Sequence, residues 1–188
     1  MHDRLFGLAL LATTAALIGE AVPARQPDVV RRLAPDAFPR LPVAIRQALN
    51  ARGCRIPQTW DARSPVNVAH GDLTAAGSGE WAILCSTDGA SQILVYRVGP
   101  ASDARVVDSL SSSSDATWIQ DVGGGRRGYS RLIRVKPQRQ IRAWREDRDR
   151  HSIPQPIDHD AIEQVYLEKG ADAFYLARGR WYRRTTAD

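Results

Sequence analysis

Two apolar runs, Glu80–Ser86 and Gln92–Val98, stand on either side of Thr87-Asp88-Gly89-Ala90-Ser91. Asp-Gly between apolar, partly β-branched segments is a strong hairpin signal, because a two-residue type I′ turn needs positive φ at both central positions. A chain with such a hairpin is committed to an antiparallel sheet. Within the first, Trp81-Ala82-Ile83-Leu84-Cys85 is an apolar run that reads as a buried strand.

The remainder repeats the theme. Arg105–Leu110, Trp118–Val122 and Leu132–Val135 read as short strands, and Gln140–Trp144 as a weaker one. Glu163–Glu168, Ala173–Ala177 and Arg180–Arg184 form a C-terminal meander, with turns at Lys169–Asp172 and Arg178-Gly179. Ser109–Asp115 is polar enough for a surface loop, Gly123–Gly128 for a flexible one, and residues 145–156 for a connection. Before the strands, Val43, Ile45, Ala48 and Leu49 recur at three- and four-residue spacing behind Pro42, with Gly53 as the stop. That spacing predicts a short amphipathic helix over Leu41–Arg52. The expected fold class is α+β: mostly antiparallel β-sheet, in hairpins and a C-terminal meander, with one short N-terminal amphipathic helix. It forms a single domain over residues 41–188, behind an irregular lead over 25–40 that holds Pro27, Pro35 and Pro39.

Residues 1–24 read as a signal peptide. Arg4 precedes the uncharged stretch Leu5–Ile18, and Ala21-Val22-Pro23-Ala24 places small residues where a signal peptidase cuts, after Ala24. Fourteen such residues are short of the roughly 20 that span a hydrocarbon core. The expectation is a periplasmic or secreted chain without stable membrane insertion after cleavage. In that compartment Cys54 and Cys85, the two cysteines of the sequence, are expected to form a structural disulfide; two buried thiols are the alternative.

Gly71-Asp72-Leu73-Thr74-Ala75-Ala76-Gly77-Ser78-Gly79-Glu80, followed by Trp81-Ala82-Ile83-Leu84, resembles the calcium loop and strand of an FG-GAP (integrin-type) repeat. Gly53–Gln58, Trp81–Ser86, Ile157–Glu163 and Gly179–Tyr182 are similar to segments of uncharacterised exported bacterial proteins, whose family implies no activity. The calcium-loop resemblance implies that Asp72 and Glu80, with backbone carbonyls, are candidate ligands for calcium. Thr74 and Ala76 stand where the metal-binding version has carboxylates, and calcium wants six to eight oxygens. Asp158, Asp160 and Glu163 make a second candidate carboxylate set, although Asp158 and Asp160 read first as an Asx-type turn ahead of a strand, which needs no metal. His2, His70, His151 and His159 do not recur at a metal-ligand spacing. No cofactor is expected beyond this possible calcium.

The net charge is +5, carried almost wholly by arginine. Arg126, Arg127 and Arg131, interleaved with glycines and Tyr129, are candidate anion-binding residues. An exported chain meets an envelope protein or anionic polymer before nucleic acid, so no nucleic-acid partner is expected. No nucleophile elbow or phosphate-binding loop occurs. The expected function is therefore a non-catalytic binding or interaction module of the cell envelope. A hydrolase-type enzyme whose site assembles from distant residues, and a small divalent-cation-binding structural domain, are the alternatives.

Overall fold

The computed structural model describes residues 30–100, 103–143 and 153–187. The expected signal peptide over residues 1–24, residues 25–29 of the lead, Trp144 and His151 lie outside the described residues. From residue 30 the lead joins the core instead of remaining irregular. Strand β1 (Arg32–Leu33) pairs with β2 (Ile56–Pro57), Gln58 N–H donates to Arg31 C=O at 2.8 Å, and Val30 and Phe38 are buried. Between these strands runs helix α1 (Val43–Ala51). It ends as Gly53 implies: Gly53 has φ +66°, its N–H bonds to Asn50 C=O, and Cys54 N–H bonds to Leu49 C=O. This is a Schellman closure, for which glycine at the left-handed position avoids the Cβ penalty.

Strands β3 (Val68–Gly71), β4 (Glu80–Thr87), β5 (Ala90–Val98) and β6 (Ala104–Ser114) form a four-stranded antiparallel sheet in that order. Asp88 and Gly89, at φ 51° and 77°, make the expected β4–β5 turn. Strands β7 (Ile119–Asp121) and β8 (Arg127–Tyr129) form a short ribbon. A second four-stranded sheet contains β9 (Arg131–Lys136), β10 (Ala161–Tyr166), β11 (Gly170–Ala177) and β12 (Arg180–Ala187), in the order β12-β11-β10-β9. Arg178 and Gly179, at φ 50° and 72°, supply its β11–β12 turn.

Alternation along the strands explains how the layers stack. Ala82, Leu84, Ile93 and Val95 face Ile133, Ile162 and Phe174 of the second sheet. Their neighbours Ile83, Cys85, Leu94 and Tyr96 point the other way, onto Ile45 and Leu49 of α1. On the far side of the second sheet, Ala161, Ala173 and Tyr175 pack beneath Ile141, Ile153 and Ile157. Ile141 belongs to helix α2 (Gln138–Ala143). The order of layers is thus helix, sheet, sheet, helix.

Polar ties join the two sheets at both margins. Asn67, buried at φ 72°, accepts from Ile133 N–H at 2.8 Å and donates to Arg131 C=O at 3.1 Å. Its Nδ2 also donates to Pro57 C=O at 2.6 Å. At the opposite margin Trp181 Nε1 donates to Asp108 on β6 at 2.5 Å.

Two local expectations are corrected. The serine run 109–114 is not a loop but the second half of β6, because its oxygens accept from groups of the second sheet, as described below. Residues 138–143 are helical rather than a strand. Pro137 presets the backbone ahead of the first turn, and Asp160 Oδ1 accepts the Gln138 N–H at 2.9 Å.

One glycine is required by close approach. A Cβ at Gly128 would lie 2.4 Å from Trp60 Cβ and 2.8 Å from its Cγ, on a segment held by the Trp60 N–H to Tyr129 C=O bond of 2.8 Å. Gly128→Ala is expected to destabilise the fold by roughly 1–3 kcal/mol, as overpacking does. Urea unfolding measures it; a midpoint equal to wild type would show that the Trp60 segment yields freely.

Candidate functional site

The calcium-loop-like segment between β3 and β4 is closed by its own side chains. Asp72 accepts the Gly77 N–H at 2.8 Å on Oδ2 and the Gly79 N–H at 3.1 Å on Oδ1. Glu80 is wholly buried. It accepts the Leu73 and Thr74 N–H groups at 3.0 and 3.3 Å and the Thr74 and Ser78 hydroxyls at 2.5 Å each. Arg97 on β5 donates to the same carboxylate through Nε at 3.0 Å and through Nη2. The positive charge facing Glu80 is therefore a guanidinium.

Burial works to raise the Glu80 carboxyl. Hydrogen bonds from Ser78, Thr74, Arg97 and the Leu73 N–H outweigh it and lower the group to about 2. The folded value lies below the ordinary one, so the stabilisation is complete above the unfolded pKa near 4.5 and is lost as pH falls toward 2. At neutral pH it amounts to at most about 3 kcal/mol. Glu80→Gln is expected to lower stability at pH 7 and to flatten the acid limb of a stability–pH curve between about pH 5 and 2. Parallel acid limbs for variant and wild type would contradict this.

The second acidic segment meets the first. Asp160 N–H donates to Asp72 C=O at 2.8 Å, and Asp160 Oδ2 would lie 3.0 Å from a Cβ at Gly71. Its other oxygen caps α2 as above. Asp158 Oδ1 lies 2.6 Å from His159 Nδ1. Glu163 accepts from Arg134 Nε at 2.5 Å, Lys136 Nζ at 2.6 Å and Thr186 Oγ1 at 3.2 Å. Burial opposes ionisation of Glu163, but the bonds from Lys136 and Arg134 prevail and hold its carboxyl below the usual value. Among the described residues no group of three or more His, Cys, Asp and Glu side chains is arranged to hold a metal ion.

The three candidate anion-binding arginines are parted. Arg126 and Arg127 are exposed at the β7–β8 turn, whereas Arg131 is fully buried between the two sheets. Its Nε and Nη2 donate to Gln164 Oε1 at 3.0 and 2.7 Å. Nη1 donates to Ser91 C=O and Oγ at 3.0 and 2.9 Å and to Ser113 Oγ at 3.3 Å. Nη2 also reaches Ser111 C=O at 2.5 Å, and the guanidinium lies 4.8 Å from the Trp118 ring centroid. These neutral acceptors explain why the serine run is a strand. Burial lowers the Arg131 pKa, partly offset by the fields of Tyr129 and Asp115. Asp115, itself buried, holds Ser86 at 2.6 Å and Arg32 at 2.8 Å. Arg131 is a structural cation and not part of an anion-binding loop.

A separate concavity lies beside β3 and β4. A groove of about 520 Å³ runs between the Ala37–Leu41 turn and strands β3 and β4, walled by Phe38, Leu41, Pro65, Val68, His70 and Trp81. The β3–β4 register sets His70 opposite Trp81, and their rings stand 4.4 Å apart between centroids at 32°. Trp81 reads from its apolar run as core; here it is half-buried, on the helix-side face beside the Ala37–Leu41 turn that precedes α1. Arg40 adds a cation at the rim. Sequence reasoning missed this site. Its walls come from segments up to 44 residues apart, from Ala37 to Trp81, and β3, which carries His70 and Val68, lacks a strand-like run.

Further along the same face of β4, Cys54 and Cys85 form the expected disulfide, with Cα atoms 5.4 Å apart. It joins the end of α1 to β4 and points to an oxidising, non-cytoplasmic compartment. No described helix is long and apolar enough to cross a membrane. No protein-family model matches the chain, and neither the curated proteins nor the solved structures searched contain a significant match. What defines the class is the architecture itself: a disulfide-stapled α+β domain of two facing antiparallel sheets, with an aromatic groove on one side.

Proposed function

We propose that the chain is an exported, non-catalytic binding module of the bacterial cell envelope, periplasmic or secreted, and that it contacts an envelope protein through the Trp81 groove. The observation that carries this reading is the groove itself. Its walls are apolar and aromatic, with one imidazole and one guanidinium to orient what enters, the composition of a recognition site rather than of a packing defect. Its volume of about 520 Å³ falls within the range of roughly 300–1,000 Å³ typical of binding sites. The ends of β3 and of the Ala37–Leu41 turn are held by a disulfide-anchored core, so the surface is preformed and little ordering entropy is lost on binding. The signal-like N-terminus and the disulfide support export together.

Trp81→Ala removes an aromatic ring from the wall of the groove. It is expected to weaken retention of the purified protein on solubilised envelope extract at least tenfold, the loss of about 1.4 kcal/mol or more that an aromatic anchor contributes. Retention equal to wild type, with the fold intact by circular dichroism, would rule the groove out as the contact surface. Turnover in a hydrolase screen would overturn the non-catalytic reading.

A further inference from the structure

Strand register lays Gln164, Asp172 and Thr185 side by side across β10, β11 and β12. Gln164 faces the first sheet, since Ser111 Oγ on β6 donates to its Oε1 at 2.8 Å. The row therefore lies on the inter-sheet face. There, beside Trp118 and Tyr166, opens a cleft of about 290 Å³. Gln164 lines it and is 4% exposed. Its Oε1 also accepts from Arg131 Nε and Nη2 at 3.0 and 2.7 Å. A guanidinium can only donate, so the amide cannot flip, and Nε2 is turned away from Arg131. Among the described residues Nε2 has no hydrogen-bond partner, although buried amides usually do. The unpartnered polar atoms that are shut off from solvent belong to Arg46, Tyr96, Asp115 and His159. Gln164 Nε2 is not one of them, so its two N–H donors open on the cleft.

The groups around it favour an anion. Lys169 Nζ lies 4.7 Å from the Tyr166 ring centroid and 3.3 Å from its OH, with no carboxylate partner among the described residues. Asp172 is already satisfied, by Arg183 Nη2 at 2.7 Å and Thr185 Oγ1 at 3.0 Å. Lys169 and Arg183 against Asp172 leave the lining one positive charge in excess. Behind Gln164 stands Arg131, a buried cation whose pull on Oε1 strengthens the Nε2 donors, because linked hydrogen bonds polarise one another. Trp118 and Tyr166, edge to face with centroids 5.3 Å apart at 65°, supply an aromatic wall. We propose that this cleft binds a small ring-bearing monocarboxylate, an aryl carboxylate or a sugar acid. Its carboxylate accepts from Gln164 Nε2 and Lys169 Nζ, and its ring lies against Trp118 and Tyr166. One excess positive charge matches one carboxylate, whereas a phosphate dianion would overshoot it. The volume stands at the lower end of the range for small-molecule sites, roughly 300 Å³. This cleft shares no residue with the Trp81 groove.

Side-chain amide NMR of the full chain is the test, because the two protons on Gln164 Nε2 report directly on what they bind. Benzoate and methyl glucuronide are the probes; acetate, benzamide and inorganic phosphate are the controls. The expected result is a pair of Gln164 proton resonances that move downfield and saturate with benzoate, methyl glucuronide or both. The dissociation constant should be on the order of millimolar, as suits so few contacts. A response to benzoate alone marks an aryl site, to the glucuronide alone a sugar-acid site, and to both a site that reads only carboxylate and ring. Lys169 is exposed, so its replacement leaves the fold intact. Lys169→Gln weakens binding about tenfold, as loss of a charge-assisted bond does, and Lys169→Glu abolishes it. Benzamide or acetate bound as tightly as the ring-bearing carboxylates would overturn the proposal. So would a response to phosphate alone, no Gln164 shift with either probe at about 100 mM, or unchanged affinity in Lys169→Glu.

Discussion

Arg131→Met is expected to destabilise the protein by roughly 4 kcal/mol, because it orphans several buried acceptors at once, each worth about 1–3 kcal/mol. The guanidinium bonds Gln164 Oε1, the Ser91 and Ser111 carbonyls and the Ser91 and Ser113 hydroxyls. These groups belong to β5, β6 and β10, so Arg131 on β9 is what makes the two sheets one interior at this end. Methionine fills the length but satisfies none of them. The asymmetry of hydrogen-bond energetics gives a second arm: removing both partners together costs less than the sum of the two single losses. Arg131→Met with Gln164→Leu should therefore recover a kcal/mol or more relative to additivity, about the coupling expected of directly bonded side chains. Chemical denaturation of the single and double variants measures both quantities. A single-variant loss below about 1 kcal/mol would show that the hub is dispensable.

The second large effect is expected at the disulfide. Cys54→Ala with Cys85→Ala should cost roughly 2–5 kcal/mol, the usual toll of removing a native bridge, and lower the melting temperature by on the order of 10 °C. The bridge closes a separation of 31 residues, which restrains the unfolded chain. It also docks a nine-residue helix that is too short to persist alone. Both sulfurs are buried among Ile45, Leu49 and Ile83, so the alanines leave a cavity as well. Mass spectrometry of the unreduced protein should find a single intramolecular bridge. Two alkylatable thiols, or an unchanged melting temperature in the double variant, would contradict this.

What was legible in the sequence is what local chemistry decides. Asp88-Gly89 and Arg178-Gly179 mark their turns because each pair must adopt positive φ, and Gly53 marks the end of α1 for the same reason. The β4–β5 hairpin and the C-terminal meander follow from apolar runs between such turns. What was not legible depends on partners far along the chain. Arg131 sits in Gly125-Arg126-Arg127-Gly128-Tyr129-Ser130-Arg131 and shares the look of an exposed basic loop; the residues that bury it are 18 to 40 positions away. The serine run looks like a loop because its oxygens look free, and they are not. Arg97 shows no relation to Glu80 until the β4–β5 register brings Tyr96, its neighbour, opposite Trp81. The groove is similarly invisible, since its walls are ordinary apolar residues until folding gathers them around a half-covered tryptophan.

Site-specific photocrosslinking in cells tests the binding role most directly. A benzophenone amino acid is placed at Pro65, on the exposed rim of the groove. A control carries it at Val107, which is 43% exposed on β6 and outside the groove. The full chain is expressed with its own N-terminus and irradiated. The account predicts a discrete crosslinked envelope protein from position 65, absent from position 107 and lost when Trp81→Ala is added. Adducts of equal yield from both positions, or none from position 65 in a folded and exported protein, would contradict it.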